Sequence, residues 1–188
     1  MKLGSLNYQR IKKKYLKFLK SQEVMSEPFR DKIDQLKKFY LPISKMINEE
    51  YLKSRRTKVI GLTGGQGSGK STISNIIKII LKEGFNLETV IFSIDDFYKT
   101  FKERKLMSKK ISPLFLTRGV PGTHDIRMLH NCISNLKKDK FMKIMIPKFD
   151  KSIDDRSPKS KWTKVNKKPN VVIFEGWCVG VTPQKKKD

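Results

Sequence analysis

The chain has 188 residues, and 42 basic against 18 acidic side chains give it a formal net charge of +24. That length suits one domain with a sizeable core, while 37% hydrophobic and 32% charged residues imply large solvated stretches and exclude collagen, a disulfide scaffold and a coiled coil. No apolar run approaches the roughly 20 residues of a membrane span. The lysine-rich start lacks the apolar segment of a secretory signal, and Cys132 and Cys178 are too few for a disulfide framework or a zinc site. A reduced, cytoplasmic chain is expected.

The charge has two readings. A nucleic acid or an anionic membrane surface would use it, and a compositional bias would also produce it. The excess is almost all lysine and is scattered through every segment, whereas arginine, the better phosphate clamp and base reader, is sparse. This favours bias, and nucleic acid is not an expected partner.

Residues 1–56 are expected to form a helical N-terminal extension that packs on a core of residues 57–188. Ile11, Tyr15, Leu16, Phe18 and Leu19 recur at helical spacing between lysines. A second stripe takes Ile33, Leu36, Phe39 and Tyr40, and Pro42 breaks or restarts it. Ile43, Met46, Ile47 and Tyr51 continue a further stripe. Basic amphipathic helices can lie on membranes; packing of the apolar stripes on the core is the favoured reading.

From residue 58 the pattern changes. Residues 58–62 are a short apolar run ending in glycines. Residues 71–82 carry Ile73, Ile76, Ile77 and Ile80 on one helix face, which Gly84 is expected to cap. Residues 89–94 read as a buried strand followed by Asp95 and Asp96. Residues 99–120 read as polar and irregular, and residues 126–136 as a helix with Met128, Leu129 and Ile133 on one side. Residues 141–146 alternate as a strand, residues 150–169 read as a charged loop, and residues 171–174 as a third buried strand before Glu175 and Gly176. The run from Lys185 to Asp188 reads as a solvated tail. Strand, helix, strand, insertion, strand is the grammar of an α/β fold with a parallel sheet.

The sharpest signal is the run Gly64, Gly65, Gln66, Gly67, Ser68, Gly69, Lys70, Ser71, followed by Thr72. It matches G-x-x-x-x-G-K-[ST], for which a chain of this composition would give about 0.01 accidental matches. The run follows an apolar strand and opens an amphipathic helix, as phosphate binding requires. Glycines let backbone N–H groups close around phosphate oxygens, and the helix N-terminus adds its positive end. Lys70 is expected to reach the β- and γ-phosphates of ATP, and the Ser71 hydroxyl to hold Mg²⁺. Asp95, Asp96 and Glu175 follow strands, so in an open α/β sheet they would face the phosphates. One of these carboxylates can accept a proton from a substrate hydroxyl and another can bind the metal, directly or through water.

Four further stretches follow the phosphate loop in order. They are Ser93-Ile-Asp-Asp-Phe-Tyr98, Thr117-Arg-Gly-Val-Pro-Gly-Thr-His-Asp125, Ile146-Pro-Lys-Phe-Asp-Lys-Ser152 and Ile173-Phe-Glu-Gly-Trp-Cys-Val-Gly180. Together they resemble the D-glycerate 3-kinase family of plants, fungi and bacteria, a relative of uridine kinase, pantothenate kinase and phosphoribulokinase. The resemblance spans roughly residues 35–184. It implies a P-loop NTPase fold: a three-layer α/β/α sandwich with a parallel sheet, preceded here by the N-terminal helices. The implied reaction moves the γ-phosphoryl group of ATP to a hydroxyl of D-glycerate, giving 3-phosphoglycerate. By the resemblance Asp95 is the base and Glu175 the residue linked to Mg²⁺. Asp96, Tyr98, Arg118, His124, Asp125, Lys151 and Arg156 are the expected acceptor contacts. An arginine such as Arg118 can clamp a carboxylate through two hydrogen bonds.

The chain departs from the family in Ser152-Ile-Asp-Asp-Arg156 and in Ser112-Pro-Leu114. The family also continues well beyond the Glu175-Gly176 strand, so a kinase core truncated at the C-terminus is expected, with the last strands of the usual sheet missing and its first strand at a sheet edge. Two alternatives stay open. One is an ATP-binding P-loop protein without turnover; the other is a neighbouring uridine- or pantothenate-type kinase acting on another small hydroxylated substrate.

Overall fold

The computed structural model describes residues 5–24 and 28–182, so the charge run from Lys185 to Asp188 lies outside the described residues. In chain order the helices are α1 (Ser5–Gln22), α2 (Lys32–Gln35), α3 (Leu41–Ser54), α4 (Lys70–Phe85), α5 (Phe101–Lys110) and α6 (Ile126–Lys137). The strands are β1 (Lys58–Thr63), β2 (Thr89–Ser93), β3 (Ile144–Ile146), β4 (Phe149–Asp150), β5 (Asp155–Arg156), β6 (Thr163–Val165) and β7 (Val171–Gly176).

The expected parallel sheet forms from β1, β7 and β2 in that order, with the last strand in the middle. Val171 pairs with both Lys58 and Thr89. Alternate β7 residues feed opposite sides, as the strand period demands. Val171 and Ile173 pack with Ile47, Ile77 and Leu81 from α3 and α4. Val172 packs with Phe92, Leu129 and Leu136 on the α6 side. Helices on both faces make three layers and explain why β7 is an unbroken apolar run. β1, at the edge, alternates half-buried and exposed positions instead.

The first N-terminal stripe is buried as its spacing predicts; of the later two, Leu36 and Ile47 are buried, while Phe39, Ile43 and Met46 are exposed. Ile11, Tyr15 and Leu19 close on Leu36, Ile76 and Ile80, each worth about 1.5–3 kcal/mol by burial of a large apolar side chain. Of the two outcomes expected at Pro42, the structure shows the restart. A π-helical turn at Leu36–Tyr40 joins α2 to α3, and Pro42 sits at the first turn of α3. The wider turn accommodates a ring that would otherwise collide with the carbonyl four residues back.

Three expectations are corrected. Gly84 does not cap α4; Asn86 does, with φ 53°. The Asn86 and Leu87 N–H groups donate to the Lys82 and Leu81 carbonyls, the paired bonds of a Schellman end. Gly84 is buried inside the last turn, where its carbonyl accepts from Asn7 of α1. The segment 99–120 is not irregular: Thr100 and Glu103 form a capping box that starts α5. The alternating run near residue 144 stays outside the main sheet, because β3 pairs antiparallel with β6 and β4 with β5, giving the charged 150–169 segment strands of its own. No helix among the described residues is long and apolar enough to cross a membrane.

Candidate active site

The phosphate loop occupies the six residues between the end of β1 at Thr63 and the start of α4 at Lys70. Gly69 precedes the helix with φ 78°, a left-handed conformation that a side chain would strain. The Lys70 ammonium bends back over the loop and donates to the Gly64 and Gly65 carbonyls at 2.8 and 2.6 Å. The exposed α4 N–H groups and this ammonium make one wall of a cleft of about 950 Å³.

The sheet supplies the floor. Glu175, 8% exposed near the end of β7, accepts hydrogen bonds from Ser71 Oγ at 2.7 Å and Ser74 Oγ at 3.3 Å. A carboxylate and a hydroxyl side by side are hard oxygen donors suited to Mg²⁺. Among the described residues no group of three or more His, Cys, Asp or Glu side chains gathers to hold a metal. Beside Glu175, a Cβ on Gly176 would come within 2.5 Å of Ile94 Cγ2, so only glycine lets the strand end pass the turn that follows β2.

That turn, Ile94–Phe97, is a short 3₁₀ helix started by a capping box. Ser93 Oγ accepts from the Asp95 N–H, and Asp96 accepts from the Ser93 N–H, each at 3.2 Å. Asp96 is buried and committed: it also pairs with Lys148 at 3.1 Å and accepts from the Phe149 N–H. Asp95 is freer, a quarter exposed and paired with Lys151 at 2.8 Å. Both line the cleft opposite the phosphate loop.

Tyr98 lines the same wall. Burial, and then the Asp95 carboxylate beside it, push its phenol up to about 12. His124 stacks on Tyr98 with ring centroids 4.2 Å apart. Burial holds the imidazole below its ordinary value, against the pull of Asp95, and its buried Nε2 has no hydrogen-bond partner among the described residues. Asp125 caps α6 by accepting from the Met128 N–H. Arg156 donates to the Tyr98 carbonyl at 2.8 Å.

Of the expected acceptor contacts, Asp96, Tyr98, Arg118 and Lys151 come together in the cleft with Asp95. His124, Asp125 and Arg156 lie outside its lining: His124 stacks on Tyr98, Arg156 donates to the Tyr98 carbonyl, and Asp125 caps α6. In the phosphate loop, Gly65, Gln66, Gly67, Lys70 and Ser71 face the cleft, while Gly64, Ser68, Gly69 and Thr72 lie outside its lining. Lys148 and Phe149, not among the expected site residues, line it as well, as does the half-exposed Trp177. Trp177 belongs to the distinctive stretch after β7, which was the signal for it.

A phosphate loop, a buried acid beside its serine and a second acid on the facing wall of a parallel α/β sheet define a P-loop kinase. The chain belongs to the phosphoribulokinase / uridine kinase family, whose model matches residues 59–184. It is 38% identical over 148 residues to the uncharacterized kinase mug58 of Schizosaccharomyces pombe, covering 75% of this chain and 53% of that one. It is 32% identical over 133 residues to the chloroplastic D-glycerate 3-kinase of Arabidopsis thaliana, covering 66% of this chain and 29% of that one. Among solved structures, D-glycerate 3-kinase from Cryptococcus neoformans superposes with a TM-score of 0.68 at 29% identity, over 77% of this chain and 53% of that one. The chain thus spans about half or less of the length of these relatives.

Proposed function

We propose that the cleft is the site of an ATP-dependent small-molecule kinase that phosphorylates the 3-hydroxyl of D-glycerate. The observation that carries this is the pairing of walls. Asp95 faces the phosphate loop across one cleft, in a ring of cations formed by Arg118, Lys148 and Lys151. The first wall suits a polyphosphate and the second a small hydroxylated anion. The likeness to two D-glycerate 3-kinases supports the choice of acceptor.

Each residue then has a task. Lys70 and the α4 N-terminus hold the β- and γ-phosphates, and Ser71 with Glu175 would hold Mg²⁺. That ion, when bound, neutralises charge on the β- and γ-phosphate oxygens. Arg118 and Lys148 hold the acceptor carboxylate, and Asp95 orients the hydroxyl. As the new oxygen–phosphorus bond forms and the bond to the ADP oxygen breaks, the hydroxyl proton passes to Asp95. Because the transition state is loose, positioning supplies most of the acceleration. The Lys151–Asp95 ion pair must open for this, so Lys151 serves best when it moves onto the acceptor anion.

The test is incubation of the purified protein with Mg-ATP and D-glycerate, read by phosphorus NMR. The expected product is ADP plus 3-phosphoglycerate. ATP binding with no product from D-glycerate, pantothenate or uridine would leave a nucleotide-binding protein without turnover. Product from either of the latter two alone would move the chain to a neighbouring kinase activity.

A further inference from the structure

Arg104 is the largest fully buried side chain of the molecule among the described residues, with 0% exposure, and it lies on α5, outside every motif of the sequence. A buried guanidinium is costly unless its N–H groups are matched. Here Nε donates to the Lys99 carbonyl at 3.3 Å and Nη1 to the Leu116 carbonyl at 2.7 Å. Nη2 donates to both the carbonyl and the carboxylate of Asp154, the latter at 2.9 Å. The cation also lies over the rings of Phe101 and Phe149, at 5.6 and 6.0 Å. One side chain therefore ties the α5 start, the loop before Arg118 and the turn between β4 and β5.

Asp154 passes this order on. Its second oxygen accepts from Arg118 Nη1, so one carboxylate is shared by a buried arginine and an arginine of the cleft. Burial alone would raise the Asp154 carboxyl, yet the two guanidinium groups hold it below the usual carboxylate range. Asp154 also sits in a left-handed conformation, φ 53°, in the same turn as Lys151. Arg118 is only one-third exposed and rests on Phe149, 5.9 Å from its ring centroid. It is thus a cation aimed into the cleft on a fixed mount.

The geometry points to Arg104 as a positioning residue. Through Asp154 it fixes the Arg118 guanidinium, and through the same turn Lys151, for recognition of the acceptor's anionic group. This rests on the kinase reading for its catalytic consequence but not for its structural one. Lysine cannot replace arginine here, since one ammonium cannot reach three segments in a planar fork.

Two measurements on the intact protein test it. Side-chain NMR of ¹⁵N-arginine reports the order of Arg118 without any turnover. An ordered Arg118 Nε–H signal is expected in the parent, and Asp154→Asn and Arg104→Lys should both render it mobile. Steady-state kinetics with D-glycerate should show the acceptor KM raised about tenfold in each variant, with the KM for ATP changed by less than about twofold. Adding Arg118→Ala to Asp154→Asn should raise the acceptor KM by less than Arg118→Ala does in the parent, because both changes act in part through one guanidinium. Asp154→Asn keeps the size of the side chain, so it serves if Arg104→Lys does not fold. An Arg118 signal unchanged in Asp154→Asn overturns the inference, as do KM values for ATP and acceptor that rise together. A parent with no D-glycerate turnover sinks only the function proposed above; the NMR arm then still decides the role of Arg104.

Discussion

The phosphate wall of the cleft comes from one short stretch, Gly65 to Ser71, whose glycines and following helix shape it locally. The acceptor wall is made by Asp95, Tyr98, Arg118, Lys148 and Lys151, brought from three segments and held by ion pairs and stacked rings. The first wall is a local conformation, and its shape depends little on the rest of the molecule. The second is an assembly in which Tyr98 and Arg118 lean on neighbours outside the cleft, His124 and Asp154. Changes behind the acceptor wall should therefore reach its chemistry, while ATP binding stays on the other side.

The largest expected effect cleanly separates the two walls. Asp95→Asn keeps the shape of the side chain and removes the base. It should lower kcat by about 10²–10⁴ and leave the Kd for ATP, measured by calorimetry, unchanged within about twofold. A parallel loss of ATP affinity would mean that the walls are not separable. Gly176→Ala probes the seam between them. The new methyl must displace Ile94, in the turn that presents Asp95. A thermal melt should show a loss of about 1–3 kcal/mol, as for overpacking of a filled core. An unchanged melt would show that the seam yields freely.

The smallest effect concerns pH. Burial disfavours the charged form of His124, so its folded pKa lies below the ordinary 6.5. A depressed imidazole contributes stability that is complete above the unfolded pKa and lost as pH falls through the folded one. The melting temperature should thus decline as pH drops below about 6.5, and His124→Phe, which can keep the stack on Tyr98, should flatten that part of the profile. An identical slope in the variant would assign the decline to other groups.

The same division governs how much could be read from the sequence. The phosphate loop was legible because its chemistry is contiguous and its context, strand before and helix after, is equally local. Glu175 and Asp95 were legible because strand ends in a parallel sheet point to one edge. Arg104 was not, because its meaning lies in three carbonyls and a carboxylate from distant segments, and on α5 it looks like one more cation in a basic chain. Lys148 was missed for the same reason. His124 lies in the most distinctive stretch of sequence, yet it stacks on Tyr98 outside the cleft lining: a motif marks a neighbourhood without saying which members face the ligand. The helix α5 itself was announced by Thr100 and Glu103 and was masked by the polar residues around them.

The central place of β7 has a consequence for how the chain becomes a structure. Lys58 pairs with Val171, over a hundred positions later, and β2 waits for the same strand. Neither strand has its neighbour until the Val171–Gly176 segment has been synthesised. Until then two apolar strands remain unsatisfied, and closing so long a loop is slow. The nucleotide site is therefore closed by the same strand that completes the sheet: Glu175 reaches Ser71 only once β7 lies between β1 and β2.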